Sequence, residues 1–260
     1  GFALVILMPE GELPLKLTFL LVGIWWVAFA QITFNRLPIS PKTERKSRKH
    51  ALVNGFHELQ KVWHEVKIMP QLKRFLTAFF FYNMGVQTVM LVAIDFGIKE
   101  LKLENSKLII TAVIIQLVAI AGAVGMSRIS ALYGNIKVLS LTVCLWIVVC
   151  IAGYFMQTEI HFYIIASLVG LVMGGIQSLS RSTYSKLMPE TKDTASFFSF
   201  YDVTEKFSIV IGLFCFGFIE GLTNNMRNSI LALIIFFIIG LLFLLLTYRV
   251  QKKQSVTLTN

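Results

Sequence analysis

The chain has 260 residues, of which 56% are apolar or aromatic and 15% charged, against about 25% charged in an average soluble domain. At a mean hydropathy of +0.72 there is too little polar surface to cover a water-soluble globule of this size, which excludes a soluble enzyme. The net charge of +10 rests on 24 Lys and Arg gathered between long uncharged stretches, so it points to a membrane and not to a nucleic acid.

A membrane-crossing helix needs about 20 apolar residues and pairs every backbone group internally. In chain order, Gly1 to Met8 is apolar but far too short to cross, and no initiator Met precedes it. It is expected to be the tail of an earlier span, and the chain a fragment. A first full span follows from Leu15 to Phe34. Residues 35–74 form a long basic loop. Within it Leu52, Phe56, Leu59, Trp63 and Val66 recur at spacings of four and three, which predicts an amphipathic helix ended by Pro70. That helix is expected on the inner membrane surface or against the cytoplasmic helix ends. Six further spans then run from Phe75 to Gly97, Leu108 to Ser127, Val138 to Met156, His161 to Ser180, Phe207 to Leu222 and Ser229 to Tyr248, with a tail over 249–260. Cys144, Cys150 and Cys215 all lie in apolar runs without a CxxC pattern, so neither a disulfide framework nor a metal site is indicated.

Cytoplasmic loops carry the excess of Lys and Arg. Alternate loops here hold nineteen and five. The richer side takes the 36–74, 128–137 and 181–206 segments and the tail after Tyr248, so the central loop and the C-terminus are expected in the cytoplasm.

Two sequence runs carry more than composition. One is Phe81-Tyr82-Asn83-Met84-Gly85-Val86-Gln87-Thr88-Val89, with Gln116 in the next span. The other is Gly174-Gly175-Ile176-Gln177-Ser178-Leu179-Ser180-Arg181-Ser182, followed by Phe197-Phe198-Ser199-Phe200-Tyr201-Asp202-Val203 and Lys206. With the six-span layout after a basic loop, these runs resemble major facilitator superfamily transporters, in the branch of the autophagy-related vacuolar effluxers and their bacterial relatives. The likeness covers Phe75 to Tyr248. It implies an all-α membrane protein: a six-helix C-terminal bundle of inverted three-helix repeats, preceded over 1–34 by the end of an N-terminal half. It also implies a permease working by alternating access, and for the fungal relatives release of amino acids from the vacuole. The loop Ser127-Arg128-Ile129-Ser130-Ala131-Leu132-Tyr133-Gly134-Asn135-Ile136-Lys137 departs from the superfamily pattern G-x-x-x-D-R-x-G-x-R-R by lacking its acidic residue.

Polar groups inside a span are costly and usually face the bundle interior or a water-filled path. Counted from Arg74 at 1.5 Å per residue, Asn83 lies about 13 Å deep and Gln87 about 20 Å, on one helix face and flanked by Tyr82 and Thr88. Gln116 lies about 15 Å in from the other boundary. These residues and Gln177 are the candidate substrate contacts, with interhelical hydrogen bonding as the competing role. Gly170 and Gly174 share the Gln177 stripe and suit close helix packing. Arg181 falls at the cytoplasmic mouth, where pairing with Asp202 or Glu205 would make an inner gate, with Lys206 beside it. Asp95 and Glu220, near the outer ends of their spans, are candidate proton-coupling carboxylates, although their depth favours solvation there.

The partners expected are a small-molecule substrate, the lipid bilayer and the missing N-terminal half; no cofactor is called for. There is no G-x-x-x-x-G-K-[ST], HExxH or GxSxG, which leaves ATP-driven pumping and the common hydrolases without support. A membrane receptor and a membrane-embedded enzyme of other chemistry remain the alternatives to a permease.

Overall fold

A computed structural model of the chain describes residues 12–36, 51–191 and 193–259. All regular structure among them is helical: α1 (Glu12–Arg36), α2 (Ala51–Ile68), α3 (Pro70–Lys99), α4 (Asn105–Tyr133), α5 (Asn135–Tyr154), α6 (Glu159–Leu187), α7 (Thr194–Thr223) and α8 (Met226–Thr259). All but α2 contain a segment long and apolar enough to cross a membrane, which is the all-α multi-pass architecture expected from the sequence. The Gly1 to Met8 stub and the side chain of Leu52 lie outside the described residues.

The chain divides into two compact units, Gly1–Ala51 and Leu52–Asn260. In the first, α1 is 25 residues long, about 37 Å of helix, and apolar all round. Trp25 packs edge-on to Trp26 at 6.5 Å and tilts against Phe29 at 5.0 Å.

In the second unit the helix ends follow local chemistry. Pro70 starts α3 at a position where the missing N–H costs nothing. The Thr158 hydroxyl accepts from the His161 N–H at 3.3 Å to cap α6. Asp193 caps α7, its Oδ1 accepting from the Ser196 N–H at 3.4 Å and hydroxyl at 2.8 Å. Gly134, at φ 90°, is the single residue between α4 and α5, a conformation that disfavours any side chain.

These caps correct one sequence expectation. Residues 181–206 are not a loop: α6 runs on to Leu187 before Pro189, and α7 starts at Thr194, thirteen residues ahead of the apolar run at Phe207. Hydropathy marks the membrane segment of a helix, whereas the Asp193 cap marks where the helix begins.

The six long helices pack as two three-helix repeats. α3 packs on α7 and α8; in matching positions α6 packs on α4 and α5, and the contacts α3–α6 and α5–α8 join the halves. Exchanging α3 with α6, α4 with α7 and α5 with α8 maps this packing onto itself, and α3 and α6 run in opposite directions. The closest approach is α4 on α6. A Cβ on Gly174 would strike the Ala119 carbonyl, one on Gly170 would lie 2.6 Å from the Ile115 carbonyl oxygen, and one on Gly122 would strike that of Leu171. Gly170 and Gly174 are therefore packing residues. Trp146 stacks on Phe237 at 5.8 Å where α5 meets α8.

At one end, Arg181, Lys186 and Lys137 make the bundle basic. At the opposite end ion pairs tie the connections together. Arg227 bonds Glu100 at 3.0 Å and the carbonyls of Tyr154 and Met156 at 2.9 and 2.5 Å, while Lys107 meets Glu159 at 2.6 Å.

At the basic end α2 docks on the bundle by Val62 and Val66, both buried, and by Trp63, which stacks on Phe200 of α7 at 6.0 Å. Phe56, on the predicted stripe, is instead exposed. The line facing the bundle runs from the half-buried Leu59 to the buried Val62 and Val66, a slight rotation from the expected face.

Candidate functional site

A polar cleft of about 80 Å³ opens where α3, α6 and α7 meet, with room for several water molecules. From α3 it takes Phe79, Tyr82, Asn83 and Gln87, whose three- and four-residue spacings put them on one face. From α6 it takes Ile176, Gln177, Ser180 and Arg181, on the same stripe rule, and from α7 Tyr201 and Glu205.

A hydrogen-bond chain holds its wall. The Asn83 amide donates to the Ser208 hydroxyl at 2.6 Å, and Ser208 donates to the Glu205 carbonyl at 2.7 Å, one of the carbonyls of its own helix. Gln87 donates to Asn83 Oδ1 at 3.4 Å. Ser180 gives its single proton to the Ile176 carbonyl at 2.5 Å, so in its 2.7 Å contact with Tyr82 the phenol is the donor. Tyr82 thus keeps its oxygen lone pairs. Gln87 keeps its carbonyl oxygen and one N–H, and Asn83 a second N–H; these are the groups the cleft offers to a solute.

Charge enters at the basic end of the cleft. The Arg181 guanidinium lies 3.4 Å from Asp202 and 3.6 Å from Glu205, and 5.6 Å from the centre of the Tyr201 ring. The Arg181 and Asp202 side chains are 58% and 52% exposed, and pairs of that exposure contribute only about 0–1 kcal/mol, so this arm of the contact between α6 and α7 is easily broken, while Glu205 is the more buried partner. Tyr201 is fixed from behind by Phe79, stacked at 4.3 Å, and by Tyr184 at 4.9 Å; Tyr184 in turn donates to the Phe197 carbonyl at 2.7 Å.

Of the residues singled out from sequence, the cleft brings together Tyr82, Asn83, Gln87, Gln177, Arg181 and Glu205, with Asp202 at its edge. Two others stand apart. Thr88 is rotated about 100° from Gln87 and is fully buried in the α3–α7 contact against Gly212, its hydroxyl without a partner among the described residues. Gln116 is exposed on α4, whose main contacts are with α6 and α5, and it does not line the cleft; α3 and α4 meet instead where Gly97 lies against Leu108. Lys206 is exposed on α7 outside the cleft lining. Asp95 is exposed, and Glu220 pairs with Lys99 at 3.1 Å, both near the end opposite the basic one. No group of three metal-ligating side chains occurs among the described residues.

Sequence reasoning passed over Phe79, Ser180, Tyr201 and Ser208. The signal was present for α7: Phe197, Tyr201, Glu205, Ser208 and Gly212 recur at four, four, three and four, but the stripe shows only once the helix is started at Thr194.

Comparison with known proteins agrees with this picture. The model of the family described as vacuole effluxer Atg22-like matches residues 3–257. An uncharacterized MFS-type transporter of Bacillus subtilis, YxiO, is 29% identical over 247 residues, 92% of this chain and 57% of that protein. Autophagy-related protein 22 of Yarrowia lipolytica is 26% identical over 281 residues, covering 97% of this chain and 48% of that protein. The Kluyveromyces lactis protein of the same name is 25% identical over 246 residues, covering 87% and 50%. The chain spans about half the length of the curated relatives it matches. No solved structure matches it. The relatives are transporters and not enzymes, and the match runs through nearly the whole sequence: the chain belongs to the Atg22-like vacuole effluxer family, a branch of the MFS-type transporters.

Proposed function

We propose that the protein to which this chain belongs is a secondary active transporter that moves a small polar solute, of the amino-acid class, by alternating access, and that the α3–α6–α7 cleft is this chain's share of the solute site. The observation that carries the reading is the hydrogen-bonding capacity that the Asn83 and Gln87 amides keep beyond their bonds to Ser208 and to each other, set in a membrane-spanning helix and facing a cleft that ends in Arg181 and Glu205. Buried polar groups in a span are expensive, so those left open to a cavity favour a ligand. Neutral amides beside a paired cation and carboxylate complement a zwitterion better than an anion.

In this reading a second six-helix half, of the kind the longer relatives have room for, closes the cavity from the other side. The Lys and Arg excess supports a cytoplasmic position for the basic end, the central loop and the C-terminus. The Arg181 contacts with Asp202 and Glu205 then lie at the inner mouth and separate as the cavity opens inward. The test is flux of labelled amino acids by the full-length protein in proteoliposomes under imposed proton gradients. Gradient-sensitive flux of a neutral amino acid is expected; absence of flux for every amino acid, from folded protein, contradicts the substrate class.

A further inference from the structure

We propose that the basic end of the bundle carries a second binding site, separate from the cleft, for the phosphate of an anionic phospholipid. A polar pocket of about 310 Å³ lies between the α4–α5 turn and the ends of α6 and α8. Among the described residues, two ammonium groups, Lys137 and Lys186, line it, together with Asn135, Thr183, Tyr248 and Gln251, and no carboxylate does.

Both lysines are held by neutral groups. Lys186 donates to Asn135 Oδ1 at 3.1 Å, and the Asn135 amide donates to the Ser182 hydroxyl at 3.0 Å, so the amide is fixed and turned to orient the cation. Lys137 sits 5.4 Å above the Tyr248 ring. Neither makes an ion pair among the described residues, so two positive charges share one pocket without a counter-charge. The loop over 127–137 holds no acidic residue, and the charge stays unneutralised.

Position selects the source of the phosphate. The pocket is built where four helices with candidate membrane spans end, α4 at Tyr133, α5 from Asn135, α6 at Leu187 and the span of α8 at Gln251, the end of the bundle that would meet lipid headgroups. Beside it the last turns of α4 expose Ile129, Leu132 and Tyr133, an apolar strip on which acyl chains can lie while the phosphate reaches the lysines. A soluble phosphate would gain nothing from that strip. Basic pockets between helices at a membrane face commonly take such headgroups, at roughly fivefold in affinity for each Lys near an anionic surface.

The test uses full-length protein from nanodiscs of phosphatidylcholine with phosphatidylglycerol, read by native mass spectrometry as the fraction retaining phosphatidylglycerol. Lys137→Ala with Lys186→Ala is expected to weaken retention roughly 30-fold. The Lys137→Arg, Lys186→Arg pair, which keeps both charges, is expected to stay near the parent. Lys73→Ala, which removes one exposed charge from the same end but outside the pocket, is expected to lose no more than the roughly fivefold of a single surface lysine. Full retention in the double alanine variant, or an equal loss in Lys73→Ala, overturns the site. Lysine-dependent binding of inorganic phosphate alone, with no preference for phosphatidylglycerol over phosphatidylcholine, overturns the lipid as its source.

Discussion

Gln87 and Thr88 are consecutive on α3, yet one faces the polar cleft and the other is sealed into a helix contact. The step of about 100° per residue decides this. Because the Thr88 hydroxyl is buried without a partner among the described residues, replacing it by a methyl removes an unsatisfied group. Thr88→Val in the full-length protein is therefore expected to leave the unfolding temperature unchanged or raised, and flux within twofold of the parent; a large loss of flux would place the hydroxyl in the solute path. Gly174 is the opposite case. Its missing Cβ is what lets α6 rest on the Ala119 carbonyl. Gly174→Ala is expected to cost about 1–3 kcal/mol through overpacking, measured as lowered thermal stability in detergent. Both stripes were visible in sequence as spacings of three and four. Hidden from it was rotation, since periodicity says which residues share a face and not which neighbour the face meets.

For the same reason Gln116 was read with Asn83 and Gln87 by depth alone, whereas α4 lies on α6 and away from the α3 cleft face. At the scale of the element, the membrane spans were legible because twenty apolar residues leave little choice, and the helix ends were not. The polar turns that extend α6 to Leu187 and start α7 at Thr194 read as loop, although they carry Arg181, Tyr201, Asp202 and Glu205. Asp193 held the missing signal, an N-cap three residues before Ser196.

The contact between those two helix ends is weak enough to act as a latch. Asp202→Asn removes one of the two carboxylates facing Arg181 and is expected to speed thiol labelling of a Gln177→Cys reporter about threefold, from the basic side; identical labelling rates would show that the pair restrains nothing. Helix α2 braces the same region through Trp63 on Phe200, next to Tyr201 and Asp202. A charge at the buried Val66 should undock it, so Val66→Asp is expected to make Lys61 several-fold more sensitive to trypsin; unchanged cleavage would mean that α2 is held by other contacts.

Across the whole molecule, the two three-helix repeats place α3 and α6, the counterparts of one another, side by side with the cleft between them. Their neighbours α4 and α7 stand to either side, and α5 and α8 pack behind with Trp146 and Phe237 between them. This arrangement gathers polar groups from opposite repeats at one point: Tyr82 and Asn83 from the first, Ser180, Arg181 and Ser208 from the second. The repeat was legible only through family resemblance, because inverted packing leaves no simple period in the sequence.

The account stands on the cleft being the solute path, and one comparison tests that directly: flux of labelled neutral amino acids through the full-length protein in proteoliposomes, with Asn83→Ala, Gln87→Ala and Gln116→Ala beside the parent at equal folded yield. The cleft variants are expected to lose at least tenfold in flux while Gln116→Ala stays within twofold. Parental flux in both cleft variants would make the Asn83 and Gln87 amides helix-packing groups and put the solute path elsewhere.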